Sequence, residues 1–352
     1  MAFEIQDRVK VAIVILNWNG LKFLKQFFGT LVENSNITNY QVVVADNGST
    51  DSSIEYLQQN YPKIRIIRLD KNYGFTGGYN RSLNQVDAEY FVLLNSDIEV
   101  TPHWIEPIIE FMDSNPEVAA CQPKIRSFSQ KEYFEYAGAA GGFIDKFGYP
   151  FCRGRILKEH EKDEGQYDQI TEIFWATGAC MFVRADLYKK AGGLDEDFFA
   201  HMEEIDLCWR LKNMGYKIFF HPDSVVYHVG GGTLPNNNPK KLFLNYRNNL
   251  FLLFKNLPSK QRFIIVYLRM ILDGMSANLY FLKGSFSFFW AVLKAHIQFY
   301  LNLFKLTKKR KALENQFNNY KHQEIYQGSI VKAFFIKKVR KFSDLTNFPE
   351  KF

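Results

Sequence analysis

The chain has 352 residues, 47% hydrophobic and 23% charged, with a net charge of +7. That length allows a large core plus an appendage, and the composition excludes a disordered chain. Its four cysteines, Cys121, Cys152, Cys180 and Cys208, form no CxxC pair, which excludes a zinc knuckle and gives no disulfide framework.

The positive balance admits three kinds of partner: nucleic acid, anionic lipid and phosphorylated small molecules. A basic run at Lys308, Lys309, Arg310 and Lys311 comes without helix-turn-helix, RNP or zinc-finger patterning, so no nucleic-acid reader is expected. Residues 1–10 carry charges and no apolar h-region, so no secretory signal is visible and the cytoplasm is the default compartment. The 34 phenylalanines serve either a sugar site, a membrane-facing surface or an aromatic core.

Residues 9–16 are a nearly continuous β-branched run, the pattern of a strand buried on both faces of a parallel sheet. The run ends in the turn Asn17-Trp18-Asn19-Gly20, and residues 21–32 follow as an amphipathic helix. A second strand over 41–45 ends in Asp46-Asn47-Gly48-Ser49-Thr50-Asp51, with Ser49 to Ser53 placed to cap the next helix. A third, over 64–69, runs into Lys71-Asn72-Tyr73-Gly74-Phe75, with a helix expected to start near Gly77. A fourth, over 90–94, ends at Asn95-Ser96-Asp97. Strand, polar turn and helix in repetition predict an open, mostly parallel α/β sheet with flanking helices. Ligands in such sheets gather beyond the carboxyl ends of the strands, where Asn17, Asp46, Asn72 and Asp97 all fall.

Residues 127–171 read as an irregular excursion on the acceptor side, and 225–228 as a last core strand. Beyond Gly232 two helices are expected, over 262–282 and 285–304, as a C-terminal helical appendage. Lys294, Gln298, Asn302 and Lys305 recur along one side of the second. Arg269, Asp273, Lys283 and Lys294 interrupt every stretch long enough to span a bilayer. The membrane reading is an interfacial, monotopic anchor with basic residues at anionic headgroups; a soluble appendage or dimer surface is the other. The expected division is 1–240, with a nucleotide-sugar half to 126 and an acceptor half over 127–240, followed by a helical region over 241–352.

Val-Ala-Ile-Val-Ile-Leu-Asn-Trp-Asn near the start and Val-Val-Val-Ala-Asp-Asn-Gly-Ser-Thr-Asp after it resemble the opening of glycosyltransferase family 2. Lys-Asn-Tyr-Gly-Phe-Thr-Gly-Gly-Tyr-Asn, Leu-Leu-Asn-Ser-Asp, Phe-Phe-Ala-His-Met-Glu-Glu-Ile-Asp-Leu-Cys-Trp-Arg and Tyr-His-Val-Gly-Gly-Gly-Thr extend the match in the family's order. The resemblance covers about residues 9–249 and is nearest the rhamnosyltransferase-like branch. It implies a GT-A fold and inverting, non-processive transfer of one sugar from a nucleotide diphosphate donor, dTDP-rhamnose first and UDP-sugars next. Surface polysaccharide assembly on a lipid-linked glycan acceptor, at the inner face of the cytoplasmic membrane, would suit the apolar helices.

Such chemistry requires the leaving diphosphate to be neutralised, the acceptor hydroxyl to lose its proton, and both to be held in line. Asp97, at a strand end, is the candidate ligand for Mg²⁺ or Mn²⁺, hard ions that favour carboxylate oxygen. By resemblance Asn95-Ser96-Asp97 stands where the family has Asp-x-Asp, so Asn95 removes one charge. His228, before Gly230-Gly231-Gly232, matches the family's C-terminal histidine as a second metal or diphosphate contact. Glu203 and Glu204 are the candidate base, because adjacent carboxylates repel and a buried one is driven up toward neutrality. The family has Glu-Asp here with Asp as base, which aligns Glu204 with it; the choice between the two stays open.

The resemblance implies that Asp46 accepts from the N3–H of a uracil or thymine, with Asn17 and Asn19 lining the same pocket. Asn72, Gly74, Gly77 and Gly78 read as a phosphate and ribose loop feeding a helix N-terminus. Trp175 is placed either beneath the transferred sugar or in the core, and Arg247 is a diphosphate contact by charge type. A processive synthase would carry Gln-x-x-Arg-Trp, and a Rossmann oxidoreductase Gly-x-Gly-x-x-Gly; neither occurs. The rival from another class is a catalytically inactive nucleotide-binding or membrane-scaffold protein of the same fold.

Overall fold

The computed structural model describes residues 8–230, 238–346 and 348. Gly231, Gly232 and Thr233, at the end of the glycine run, and residues 1–7 lie outside the described residues.

The first half alternates as the polar turns dictate: β1 (Val9–Asn17), α1 (Leu21–Asn34), β2 (Tyr40–Asp46), α2 (Ser53–Asn60), β3 (Arg65–Arg68), α3 (Gly74–Leu83) and β4 (Ala88–Asn95). Then come β5 (Ile98–Val100), α4 (Glu106–Ser114) and β6 (Val118–Ser127). In β1, Val11, Ile13, Val14 and Ile15 are all buried, each side chain contributing about 1.5–3 kcal/mol of transfer free energy. This is why the run lacks polar alternation. β1 pairs parallel with β2 on one side and β4 on the other, with Asn17 opposite Asp46 and Leu16 opposite Asn95. The connection order reverses on either side of β1, so the carboxyl ends of β1 and β4 form the crevice in which such sheets bind ligands.

Residues 127–171, expected to be irregular, instead carry a second sheet. Its strands β7 (Gly142–Asp145), β8 (Pro150–Cys152), β9 (Arg155–Ile156) and β10 (Glu159–His160) are two to four residues long, too short for period-2 alternation to be read. After them follow β11 (Thr171–Ile173), β12 (Cys180–Arg184), α5 (Ala185–Lys190), α6 (Glu203–Asn213) and β13 (Lys217–His228). β12 enters the main sheet antiparallel between β4 and β6, and β13 lies parallel to β6. The nine-stranded sheet is therefore parallel from β3 to β4 and mixed beyond.

The C-terminal region is α7 (Pro239–Asn256), α8 (Ser259–Leu282), α9 (Phe286–Leu301) and α10 (Leu303–Glu314), then β14 (Ile325–Tyr326) and α11 (Ile330–Phe335). Two helices were expected here, over 262–282 and 285–304; α7 precedes them, and Asn302 ends α9 so that Lys305 leaves the predicted polar stripe. β14 returns to pair with β7 of the small sheet. The basic run is not one exposed patch. Lys309 pairs with Asp195 and Asp197, while buried Arg310 donates to the carbonyls of Lys255 (2.8 Å) and Leu257 (2.6 Å) at the end of α7. All four cysteines are buried and free.

Candidate active site

At the ends of β1 and β2, Asn17 Nδ2 donates to Asp46 Oδ1 (3.2 Å) and to Ser49 Oγ (3.1 Å), and both residues are buried. Gly20 is required by this arrangement, since a Cβ there would fall 2.4 Å from Asn17 Oδ1. Asn19 has φ +51°, and its Oδ1 accepts from the amides of Thr50 (2.7 Å) and Asp51 (3.2 Å). Its side-chain oxygen thus fastens the loop after β2 to the loop after β1. Between these two asparagines Trp18 stands 48% exposed, a large aromatic face that the sequence reading passed over as part of a turn. Ser52 stands at the N-cap of α2 without a side-chain cap bond, and the Oδ1 of Asp51 before it accepts from the Ser53 amide at 3.1 Å.

The loop after β3 is held by Asn47, another residue to which no role was given. Asn47 Nδ2 donates to Asn72 Oδ1 (3.1 Å) and to the Gly74 carbonyl (3.0 Å), and its Oδ1 accepts from the Tyr73 amide (3.0 Å). Asn72 Oδ1 also accepts from the Gly74 amide at 2.8 Å, so α3 begins at Gly74, three residues before the expected start. Gly77 and Gly78 consequently lie inside the helix and not in a loop. A Cβ on Gly78 would meet Leu16 at 2.8 Å, so this glycine serves the close approach of helix to sheet. The helix N-terminus is occupied as well: the Phe199 carbonyl accepts from the amides of Phe75 (3.1 Å) and Thr76 (3.4 Å).

Asp97 follows β4 in a tight turn before β5, and β5 pairs with β13 so that Ile98 lies opposite His228. This register brings together two residues 131 apart in sequence: His228 Nε2 is 3.2 Å from Asp97 Oδ1, both side chains being buried. On the far side of the ring, Glu135 Oε2 lies 3.1 Å from Nδ1. Burial opposes charge on His228, but the two carboxylates outweigh it and push the imidazole up to about 10. Burial likewise opposes ionisation of Asp97 and Glu135, and the histidine holds both carboxyls below their ordinary values. Glu135 was missed because it comes from the segment read as irregular; no periodicity or motif marks it. Asn95 is half-buried beside this pair, its amide donating to the Ala179 carbonyl at 2.9 Å.

Among the described residues, no three His, Cys, Asp or Glu side chains converge as a self-sufficient metal cage. The donor set nevertheless suits a hard divalent cation that draws its remaining ligands from phosphate: one carboxylate, one imidazole that would give up its Nε2 proton to the cation, and a second carboxylate bracing the far ring nitrogen.

Glu203 and Glu204 open α6. Glu203 is 4% exposed while Glu204 is half-buried, and each has one buried carboxyl oxygen without a hydrogen-bond partner. Burial, then the charge of Glu204, pushes Glu203 well above the ordinary carboxyl range; burial alone carries Glu204 up to about 7. Glu204 packs by Gly178, where an added Cβ would lie 3.6 Å from the Glu204 Cβ. The neighbouring Ala179 carbonyl accepts from Asn95, so the base candidate and the Asn95–Asp97 turn flank the same short segment. Asp206 and Arg210 pair at 2.8 Å on one helix face, as their spacing predicts.

Two expected contacts have other occupations. Arg247 Nη2 donates to the carbonyls of Asp197 (2.8 Å) and Phe198 (3.1 Å), which ties it to backbone. Trp175 is buried, its Nε1 donating to the Phe143 carbonyl at 2.9 Å, which places it in the core.

The family model described as "Glycosyl transferase family 2" matches residues 12–191. Among curated relatives, an N-acetylglucosaminyl-diphospho-decaprenol L-rhamnosyltransferase of Mycobacterium tuberculosis is 27% identical over 202 residues, covering 53% of this chain and 66% of the relative. The chain thus spans just under two thirds of that relative's length. The rhamnosyltransferase WbbL of Escherichia coli K12 is 24% identical over 227 residues, 62% of this chain and 83% of that one. Among solved structures, GalNAc-T7 with UDP, GalNAc and Mn²⁺ superposes with a TM-score of 0.54 at 15% identity, over 70% of this chain and 48% of that one. Staphylococcus aureus TarS gives a TM-score of 0.50 at 14% identity, over 73% and 69%. These superpositions establish a GT-A type fold, and the model match spans half the sequence: the chain belongs to glycosyl transferase family 2.

Proposed function

We propose that this protein transfers one sugar from a nucleoside-diphosphate sugar to an acceptor hydroxyl in a single inverting displacement. The observation that supports the reading is the buried Asp97–His228 pair, 3.2 Å apart, just after Asn95, whose backbone amide donates to the carbonyl of Ala179 next to Gly178, where Glu204 packs. Asp46 and Asn17 would hold a uracil or thymine ring, with Trp18 offering its face. Asp97 and His228 would hold Mg²⁺ or Mn²⁺, which when bound supplies positive charge against the leaving diphosphate. Glu204 takes the acceptor proton, while burial and the Glu204 charge push Glu203 beside it toward its neutral form. The relatives named as rhamnosyltransferases favour a rhamnosyl donor, which we read as dTDP-rhamnose ahead of UDP-sugars. The diphospho-decaprenol in one of those names favours a lipid-linked glycan acceptor, which the apolar helices would suit at the cytoplasmic face of the membrane. The test is nucleotide release from a panel of dTDP-, UDP- and GDP-sugars with Mn²⁺ or Mg²⁺. Turnover of one donor, lost without the cation, supports the proposal; a flat panel without nucleotide binding by calorimetry points to an inactive scaffold.

A base that burial has carried to about 7 makes the rate pH-dependent. The basic form must be the deprotonated one, so kcat is expected to fall as pH drops below about 7 and to level off above it. A profile flat from pH 5.5 to 8.5, roughly one and a half units either side of that value, would remove Glu204 from the role.

The membrane part rests on α8 and α9, which are apolar on the outside. The inner face of α8 buries Val266, Arg269, Asp273 and Ala277; Arg269 pairs with Asp273 at 2.7 Å and stacks over Tyr149 at 3.7 Å. The outer face exposes Ile264, Ile271, Met275 and Leu279, and α9 adds Trp290, Tyr300 and Leu301. By length and composition α8 could cross a bilayer, but its charged side is packed on protein, which favours an interfacial seat with aromatics at headgroup depth. Lys260, Lys283, Lys294 and Lys308 are exposed along this region. In vesicle co-sedimentation the protein is expected to prefer anionic over neutral lipid. The double substitution Ile271→Glu with Leu279→Glu should weaken binding by about 10-fold or more while nucleotide binding persists. Equal recovery in the supernatant with and without anionic vesicles would rule out the anchor.

A further inference from the structure

The segment joining α5 to the glutamates is strained. Phe199, His201 and Met202 have φ of 65°, 70° and 71°, the left-handed region, and none is glycine. A side chain with a Cβ is strained in that region, so the conformation persists only where its surroundings dictate it. Met202 immediately precedes Glu203, and its left-handed turn sets the direction in which α6 starts.

One side chain supplies most of that constraint. Asn248, fully buried on α7, directs Nδ2 at the carbonyls of Phe198 (3.0 Å), Ala200 (2.9 Å) and His201 (2.8 Å). Its own Oδ1 accepts from Arg247 Nε at 2.9 Å, which fixes the orientation of the amide. On its outer side the same segment gives the Phe199 carbonyl to the N-terminus of α3. Ahead of it, Asp195 is anchored by Lys255 at 2.6 Å. The segment is thus gripped from α7 and braced on the donor half, with the base candidates at its end. This grip is the occupation found for the arginine that charge type alone had given to a diphosphate.

We propose that Asn248 is a positioning residue for glycosyl transfer: through residues 198–202 it sets the direction of the Glu204 carboxyl, and Arg247 holds Asn248 in the orientation that does so. The inference rests on Glu204 being the base. A base displaced by about 1 Å can lose on the order of 10²-fold in rate without any change in donor binding.

The experiment uses the full chain, with released nucleoside diphosphate measured on the donor that the wild type turns over and water as acceptor. Asn248→Ala should lower kcat by about 30–100-fold and leave the donor KM within roughly 3-fold. Added to Glu204→Gln, it should cost no more than about a further 2–3-fold, because a residue acting through the base has nothing left to position. Where Asn248→Ala does not fold, Arg247→Met is used instead; it releases the amide and removes the arginine's own bonds to the Asp197 and Phe198 carbonyls, but leaves all three Asn248 donations in place. A smaller loss in kcat is then expected, with the same lack of additivity. Losses that multiply on the Glu204→Gln background, a donor KM that rises with the fall in kcat, or an unchanged kcat would each overturn the proposal. A Glu204→Gln protein with wild-type kcat, or a wild type that turns over no donor, instead overturns the reading beneath it.

Discussion

Asp97→Asn is expected to lower cation-dependent donor turnover by at least about 10³-fold, on the order of 4 kcal/mol of barrier, while the protein stays folded. The substitution preserves shape and an oxygen that can still face His228 Nε2, now 3.2 Å from Asp97 Oδ1, so the buried cluster loses a charge but not its packing. Asp97→Ala would be the poorer experiment. It leaves a buried imidazole facing Glu135 alone, and a loss of activity could then follow from a loss of structure. Asn95 already contributes no charge at the first position of the turn, and no third acidic or imidazole ligand converges there among the described residues. Asp97 therefore has little redundancy. Nucleotide release at saturating Mn²⁺, with thermal melts of both proteins, checks the prediction. A variant within about 3-fold of wild type would show that the pair does not hold the cation the reaction needs.

The first half of the chain was legible because its physics is local. A buried parallel strand shows as an unbroken β-branched run, and the polar residue that ends it falls at the sheet's carboxyl edge; Asn17, Asp46 and Asp97 were all placed this way. What failed was long-range or depended on where a helix begins. Gly77 and Gly78 moved inside α3 because Asn47, 25 residues earlier than Asn72, draws the loop tight through its side chain, a connection that no spacing rule encodes. Glu135 reaches His228 only because the segment read as irregular folds against the end of β13. Arg247, given to a diphosphate by charge type, and Arg310, in the basic run, both donate to backbone carbonyls, which sequence cannot distinguish from phosphate oxygens as acceptors. In α8 the broad apolar face was legible, and the structure adds that the charged pair lies on the protein side while the apolar residues face out.

The two glutamates should separate cleanly by substitution, although they are neighbours of the same type. Glu204→Gln is expected to reduce kcat by about 10²–10⁴-fold, or roughly 3–5 kcal/mol, because it removes the only half-exposed carboxyl of the pair. Glu203→Gln replaces a carboxyl that burial and its neighbour push toward the neutral form with a neutral group of nearly the same shape. Its effect should stay within about 5-fold. The pH profile distinguishes them further. The limb near 7 should survive in Glu203→Gln and vanish in Glu204→Gln, where the residual rate no longer waits on a proton leaving that position. Measuring kcat across pH for both variants decides the assignment. A deeper loss in Glu203→Gln would transfer the role to the buried partner, and acceptor access to α6 would then require the 198–202 segment to move.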